Sequence, residues 1–452
     1  MSAGPVGDTS FAPLPHLEGC DALFTAQQLF GELGTSADVL TYAAFLENAR
    51  RQRERDRDRA ARLALGAYVV ARLVDRLLVL ADGEEEREGF LWQLAAVRRH
   101  VGDLPADAPE AAHLTGITDA VHPDAAKSPA LRLTLTAYAY FLEHEGRLEE
   151  ALDMLSLAAR THGPVVPPAE FSTTALFAGR LNRLLARWDS ANSCYTAAES
   201  AAEVVGDSVS VLRSRLGRVG VMRGQGNLPL ARASAEAVIR DARNLDLPEV
   251  QAMAYADLGV VCQVQGRFVE GVQAHYRAFR LTEDPLQRMR VLGDLGIGLL
   301  KIGAYEAART AFEIVIRSNT SFLVRTNAVL EVMDLEATVG NQMAFERRRA
   351  QAKESGDRMT PSMAADFHYK AALGLARFGR LRRARTMLQA GLDLAETHHL
   401  NAWYFKLEHA LSHLETDTFR EPEPADPGSG LSESLEVREV AVGLREYAQM
   451  AT

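Results

Sequence analysis

Gly266-Arg267-Phe268-Val269-Glu270-Gly271 and Gly303-Ala304-Tyr305-Glu306-Ala307-Ala308 are one phrase written twice. Each has a turn residue, a large side chain two positions on, and a small residue five positions on. The phrase recurs upstream as Gly146-Arg147-Leu148-Glu149-Glu150-Ala151, Ala186-Arg187-Trp188-Asp189-Ser190-Ala191 and Gly226-Asn227-Leu228-Pro229-Leu230-Ala231. Downstream it recurs as Gly340-Asn341-Gln342-Met343-Ala344-Phe345 and Gly379-Arg380-Leu381-Arg382-Arg383-Ala384. The anchors at 146, 186, 226, 266, 303, 340 and 379 are 40, 40, 40, 37, 37 and 39 residues apart. Before the fourth anchor, Tyr255, Leu258, Gly259 and Cys262 follow a helical period. After it, Val272, His275, Tyr276 and Phe279 do the same. The anchor glycine suits the left-handed residue that ends a first helix, and the small residue lets a second helix approach it closely. Such a hairpin cannot bury its apolar face alone, so it stacks on its neighbours.

Length and composition agree with an array. A chain of 452 residues exceeds one compact core. Its 47% apolar content excludes global disorder, and its 7% aromatic content argues against large β-sheet cores. No window approaches 18 uninterrupted apolar residues, so a membrane span is not expected. A net charge of −10 argues against a general nucleic-acid binder. Cys20, Cys194 and Cys262 are too far apart for a disulfide framework or a zinc site, which points to a reducing, cytoplasmic setting. Leu17-Glu18-Gly19-Cys20 has the outline of a lipoprotein cleavage site, but residues 1–16 hold no basic or apolar segment.

The phrase resembles the tetratricopeptide-repeat (TPR) family. Its consensus is met by Tyr255, Leu258-Gly259, Gly266 and Ala278 in the fourth unit. The fifth meets it with Leu295-Gly296, Gly303, Tyr305, Ala308 and Phe312. The first unit keeps Tyr138, Gly146, Ala151 and Ala158, and the second Gly179, Trp188, Ala191, Tyr195 and Ala198. Units six and seven depart: both lack the first-helix glycine, and Phe345 replaces the small residue in unit six. The resemblance covers residues 130–400 and implies an all-α fold. That fold is a right-handed α-solenoid of about seven TPR-like hairpins with an irregular helical N-terminal cap. Repeats of 37–40 residues exceed the common 34. Such long repeats resemble those of bacterial regulatory proteins, including peptide-pheromone receptors and the sensor parts of transcription activators.

The expected organisation is a disordered tail at 1–20, a helical region at 21–128 that reads as divergent repeats, and the solenoid at 129–416. A Pro/Gly/Ser linker at 417–433 and a C-terminal amphipathic helix at 434–452 follow. Ser128-Pro129 is a helix start. The alternating charges of residues 50–59 suit a solvated helix face rather than a phosphate contact. Phe24-Thr25-Ala26-Gln27-Gln28-Leu29-Phe30-Gly31 is only faintly like a helix-turn-helix. Val437, Val440, Leu444 and Tyr447 share a face, so the last helix reads as a cap on the solenoid. A detachable segment, binding a partner or this protein's own groove, is its other reading.

No phosphate-binding loop, nucleophile elbow or His-Glu-x-x-His occurs. His409 and His413 lack an evident third ligand. Glu149-Glu150 and residues 84–86 read as acids at helix starts. A non-enzyme without cofactor or metal is expected. In the TPR family the first helices line a concave groove. Carried over by register, that groove takes Arg180, Asn182 and Arg183 from unit two, and Arg213 and Arg223 from unit three. Met253, Val260 and Val264 come from unit four, and Arg290 and Lys301 from unit five. Asn327 and Asp334 come from unit six, and Tyr369 and Arg377 from unit seven. The resemblance thus implies a basic groove with an apolar patch, in which Asn182 and Asn327 hold a peptide backbone. The partner is another protein or an acidic peptide or carboxyl-terminal tail, with direct nucleic-acid binding and membranes set aside. The terminal helices are where an oligomer would form. Pairing of those arginines with acids on neighbouring helices is the competing reading. The leading function is a scaffold or adaptor. The alternative is a ligand-responsive sensor-regulator, of transcription or of a signalling or defence effector, acting through solenoid shape.

Overall fold

The computed structural model describes residues 42–54, 57–80, 83–126, 128–162, 166–397, 400–415 and 434–450. The expectations for residues 1–41, for Cys20 and for the 417–433 linker lie outside them. Among the described residues there are twenty α-helices and no strand. The chain divides into two compact units, residues 1–143 with 147–225, and residues 144–146 with 226–452.

The first unit begins with α1 (Ala43–Glu54), α2 (Asp58–Leu78), α3 (Glu84–Gly102) and α4 (Pro109–Ala120). It continues through α5 (Pro129–His144), α6 (Leu148–Arg160), α7 (Pro168–Leu184), α8 (Trp188–Val204) and α9 (Ser208–Gly224). Helices α1 to α4 are continuous with the repeats: Phe45, Val70 and Leu114 share one apolar core with Leu131, Leu142, Phe171 and Ala175. On α1, Arg50 pairs with Glu47 and Glu54, the solvated ion-paired face expected for this stretch. Ser128 Oγ accepts the Ala130 N–H at the start of α5.

Glu149 and Glu150 both stand in the first turn of α6, as expected. Glu150 is buried, and the Arg147 guanidinium lies between it and Glu110. Arg147 Nη1 is 2.6 Å from Glu110 Oε1, and Nε is 3.0 Å from Glu150 Oε2. Tyr138 donates to Glu110 at 2.6 Å, and Asn48 to Glu150 at 3.0 Å. This network joins α1, α4, α5 and α6 in the core, where removing one partner would strand a buried charge.

The second unit holds α10 (Leu228–Asn244), α11 (Pro248–Val264), α12 (Phe268–Leu281), α13 (Pro285–Lys301) and α14 (Tyr305–Arg317). Then come α15 (Phe322–Thr338), α16 (Gln342–Glu354), α17 (Pro361–Arg377), α18 (Leu381–Thr397), α19 (Asn401–Glu415) and α20 (Leu435–Met450).

All seven sequence anchors are left-handed, with φ of 78°, 58°, 82°, 75°, 78°, 77° and 71° from residue 146 to residue 379. The residue after the anchor closes the end of the first helix by a bond five residues back. Examples are Arg267 N–H to Cys262 O and Ala304 N–H to Leu299 O, both at 2.9 Å. Ala186 holds this conformation without being glycine, at a steric cost of about 1–2 kcal/mol. The small residues after the turns, such as Ala151, Ala191, Ala231, Ala308 and Ala384, are fully buried.

A further rule ties the two helices of several hairpins together. Seven residues before the anchor, Gly179, Gly259 and Gly296 leave room for a ring nine residues after it. The rings are Tyr195, His275 and Phe312, and a Cβ on those glycines would lie 2.8, 2.6 and 2.6 Å from them. Unit three has Val219 and Ala235 at the same places, so both members of the pair change together.

Successive first helices touch one another: α7 with α9 in the first unit, and α11, α13, α15, α17 and α19 in sequence in the second. No comparable contact joins successive second helices. Within each unit the first-helix row is therefore the tighter side, and the second helices stand apart.

Candidate functional site

The face of the first-helix row is set by positions 13, 9, 6 and 2 residues before each anchor, which share one side of a helix.

In the first unit this face is largely self-satisfied. Arg180 on α7 donates to Glu143 at 2.6 Å. Its guanidinium carbon stands 4.9 Å from the Phe177 ring centre and 5.7 Å from that of Tyr140. The two rings stack at 4.2 Å. Asn182 is only 5% exposed and donates to the Ala178 carbonyl of its own helix at 3.0 Å. The expectation that it holds a peptide backbone is therefore corrected: it sits on the packed side of α7. Arg183 lays its stem over Gly220, where a Cβ would lie 2.8 Å from its Cδ. Arg223 is half-buried, and Arg213 is exposed.

The second unit carries the richer face. On α11, Met253 and Val260 are half-buried and Val264 is 57% exposed, giving the expected apolar patch. On α13, Arg290 and Lys301 are exposed and make no ion pair among the described residues. Asn327 on α15 is half-buried. Asp334 and Arg377 are turned toward each other: Arg377 Nη1 is 3.5 Å from Asp334 Oδ1 and donates to Thr338 Oγ1 at 3.0 Å.

Residues outside the register reading complete this region. Lys370 on α17 lies 2.6 Å from Glu331 of α15 and 2.7 Å from Asp366 of its own helix. Burial alone would weaken the hold of Lys370 on its proton, but Asp366 and Glu331 outweigh it and raise its pKa. Burial pushes the Glu331 carboxyl up, against the pull of Lys370. Beside this network, Lys406 of α19 places Nζ 4.2 Å from the centre of the Tyr369 ring and 4.4 Å from that of Trp403. The Trp403 indole N–H donates to Ser362 Oγ at 2.9 Å, which fixes the ring. Desolvation lowers the Lys406 pKa; Asp366 acts against it, while Lys370 and Lys301 add to it.

The expected basic groove also carries acids that the register reading did not include. Nine residues before the anchors stand Asp257, Asp294 and Glu331, an acidic column beside the cations of the neighbouring columns. The face is banded in charge. Arg180 and Arg377 are matched within the fold, while Arg290 and Lys301 remain available. The signal was in the sequence: positions 13 and 9 before an anchor are i, i+4 neighbours, so both columns belong to one face.

His409 and His413 bring their Nε2 atoms to 3.0 Å of each other on the surface of α19. No group of three or more His, Cys, Asp or Glu able to hold a metal ion occurs among the described residues. Cys194 and Cys262 are buried thiols, and burial pushes Cys194 up to about 12. No described helix is long and apolar enough to cross a membrane.

No family model matches the sequence. No curated protein matches it either. Among solved structures, the backbone is similar to a Rap protein complexed with competence and sporulation factor. That match has 10% identity and a TM-score of 0.44, and covers 78% of this chain and 98% of that one. The apo form of RapI gives 10% identity and a TM-score of 0.41, covering 63% of this chain and 99% of that one. NprR in complex with its cognate peptide NprX gives 12% and 0.33, covering 84% and 99%. At such identities no residue of the face described above is carried over from them.

Proposed function

We propose that the chain is a non-enzymatic interaction module, and that the first-helix face of the second unit binds an extended peptide segment of a partner protein. The observation that carries this reading is a pair of exposed cations on that face, one turn from the acidic column. Of the face's acids, Glu331, Asp334 and Asp366 are engaged by Lys370 and Arg377. Arg290 and Lys301 are exposed without such partners among the described residues, with the apolar Val264 on the next first helix. A peptide bearing carboxylates, or its terminal carboxylate, meets these cations in a concave setting that strengthens the local field. The exposed Val264 and the half-buried Met253 and Val260 supply apolar contact to the same segment.

A fluorescein-labelled acidic decapeptide with a free carboxyl terminus tests this by anisotropy titration. Arg290→Glu with Lys301→Glu is expected to weaken binding by about tenfold or more, with the helical circular dichroism unchanged. Raising salt weakens the wild-type affinity as well. Equal affinity of wild type and variant rules the reading out.

A second reading, a ligand-responsive regulator, is favoured by one observation. Lys370 ties α15 to α17 through buried charge, so a ligand that takes over one partner alters that junction. A ligand-dependent change in small-angle scattering supports it; identical curves with and without saturating peptide exclude it.

A further inference from the structure

α20 packs on the second helices α12 and α14, with Val437, Val440 and Leu444 buried, so it does not cap the end of the array. Between the second helices α16 and α18 no described helix is inserted to a comparable extent. An open cavity of about 600 Å³ lies at the start of α16, lined by Gln342, Met343, Glu346 and Arg347 of that helix and by Arg380 from the next turn.

The sequence around this cavity reverses the charge of the repeat. Three or four residues after the anchor, hairpin one has Glu149 and Glu150, hairpin two Asp189, hairpin four Glu270 and hairpin five Glu306. These acids stand in the first turn of the second helix, where the positive end of the helix dipole favours them. Hairpin three is uncharged there, with Pro229 and Leu230. Hairpin six has Met343 and Ala344, and hairpin seven has Arg382 and Arg383. Neither α16 nor α18 has an acid in its first turn. Cations at that end of a helix work against it, so the stability of α18 does not account for Arg382 and Arg383.

The reversal extends over both helices. Across residues 341–353 and 380–389, eight cations stand against one acid, Glu346, on a chain whose net charge is −10. Glu346 is held by Arg349 at 2.7 Å and by Arg380, and Arg348 is taken by Glu313. Arg347, Arg382, Arg383 and Arg385 are exposed and make no ion pair among the described residues. Beside them Met343 is 86% exposed and Leu381 41%.

We propose that this α16–α18 surface docks an acidic segment of a partner protein in which carboxylates alternate with apolar side chains. The carboxylates pair with the unpaired arginine forks and meet the positive ends of two helices, which relieves the repulsion at Arg382 and Arg383. The apolar side chains cover Met343 and Leu381, a contact that a phosphate backbone does not offer. The surface belongs to second helices, whereas Arg290 and Lys301 belong to the first helix α13. The proposal does not rest on the reading of the first-helix face.

The test takes the full chain carrying Arg290→Glu and Lys301→Glu as its parent, so that the first-helix cations do not contribute. The probe is a fluorescein-labelled decapeptide of alternating Glu and Leu with an amidated carboxyl terminus, followed by anisotropy. Adding Arg382→Glu and Arg383→Glu is expected to weaken binding by about tenfold or more. Those substitutions put acids where hairpin one holds them, so the thermal midpoint stays level or rises. Met343→Ser weakens binding about threefold, and the peptide with Gln in place of Glu does not bind. Equal affinity of the parent and the charge-reversed chain overturns the proposal. A lowered midpoint in that chain would assign the arginines to the fold and overturn it as well. A DNA duplex that displaces the peptide and binds equally well to the Met343→Ser chain would assign the surface to phosphates and overturn the partner-protein reading.

Discussion

Hairpins five and six solve one packing problem in opposite directions. In hairpin five, Phe312 of α14 points back onto Gly296 of its own first helix. In hairpin six, Phe345 of α16 occupies the position that elsewhere holds a small residue, and its ring points onward to Gly374 of α17. Both rings are fully buried, and both meet a glycine whose Cβ would lie within 2.6 Å. The first arrangement locks a hairpin to itself; the second locks it to its successor. A departure from the repeat is thus compensated one helix further on.

The largest effect is expected from Phe345→Ala. It restores the small residue of the repeat, yet it should destabilise the second unit by about 3–5 kcal/mol, because the cavity it leaves has no other occupant. Urea unfolding followed by circular dichroism measures it. A variant as stable as the wild type would show that hairpin six is held by other contacts, and the comparison would break.

Next come Gly296→Ala and Gly374→Ala. Each added methyl meets a ring, and each is expected to cost about 1–3 kcal/mol. The sharper measurement is the pairwise one. In a Phe345→Ala background, Gly374→Ala should become neutral or stabilising, by up to about 1 kcal/mol from helix propensity. Gly296→Ala should retain its full cost in that background, since its ring is Phe312. Additive effects for residues 345 and 374 would mean that ring and glycine are not one contact.

The smallest effect concerns the turns that both hairpins share. Hairpins five and six turn on Gly303 and Gly340, whereas hairpin two turns on Ala186 with φ 58°. Ala186→Gly is expected to stabilise the first unit by about 0.5–1 kcal/mol, the relief of left-handed strain exceeding the added freedom of the unfolded chain. Thermal unfolding tests the sign; a lowered midpoint counts against strain at this turn.

The seven turns were legible from the sequence because a left-handed residue is a local requirement, written where it is used. Gly296 with Phe312 was half legible, since both belong to the repeat. Gly374 was not, because its partner lies in the preceding hairpin and no fixed spacing announces it. The candidate face divides in the same way. Register alone placed Arg290, Lys301 and Val264 on exposed or accessible positions. It misplaced Asn182, whose position is four residues before its anchor and on the buried side. Asp257, Asp294 and Glu331 stand one turn from those cations, at an offset that the family resemblance does not supply. Lys406 and Trp403 lie on α19, beyond the last anchor, where the repeat supplies no register.

The left-handed turns also set an order of events in time. Each closes a helix hairpin from neighbouring residues, so most of the array assembles by short-range encounters, the regime of fast folding. α20 is different. Its residues must return over a hundred positions to pack on α12 and α14. Two doublings of loop length beyond the forty-residue repeat add only about 1.2 kcal/mol of closure entropy. That penalty is small beside what burying Val437, Val440 and Leu444 contributes, so sequence distance alone does not keep this helix from its place.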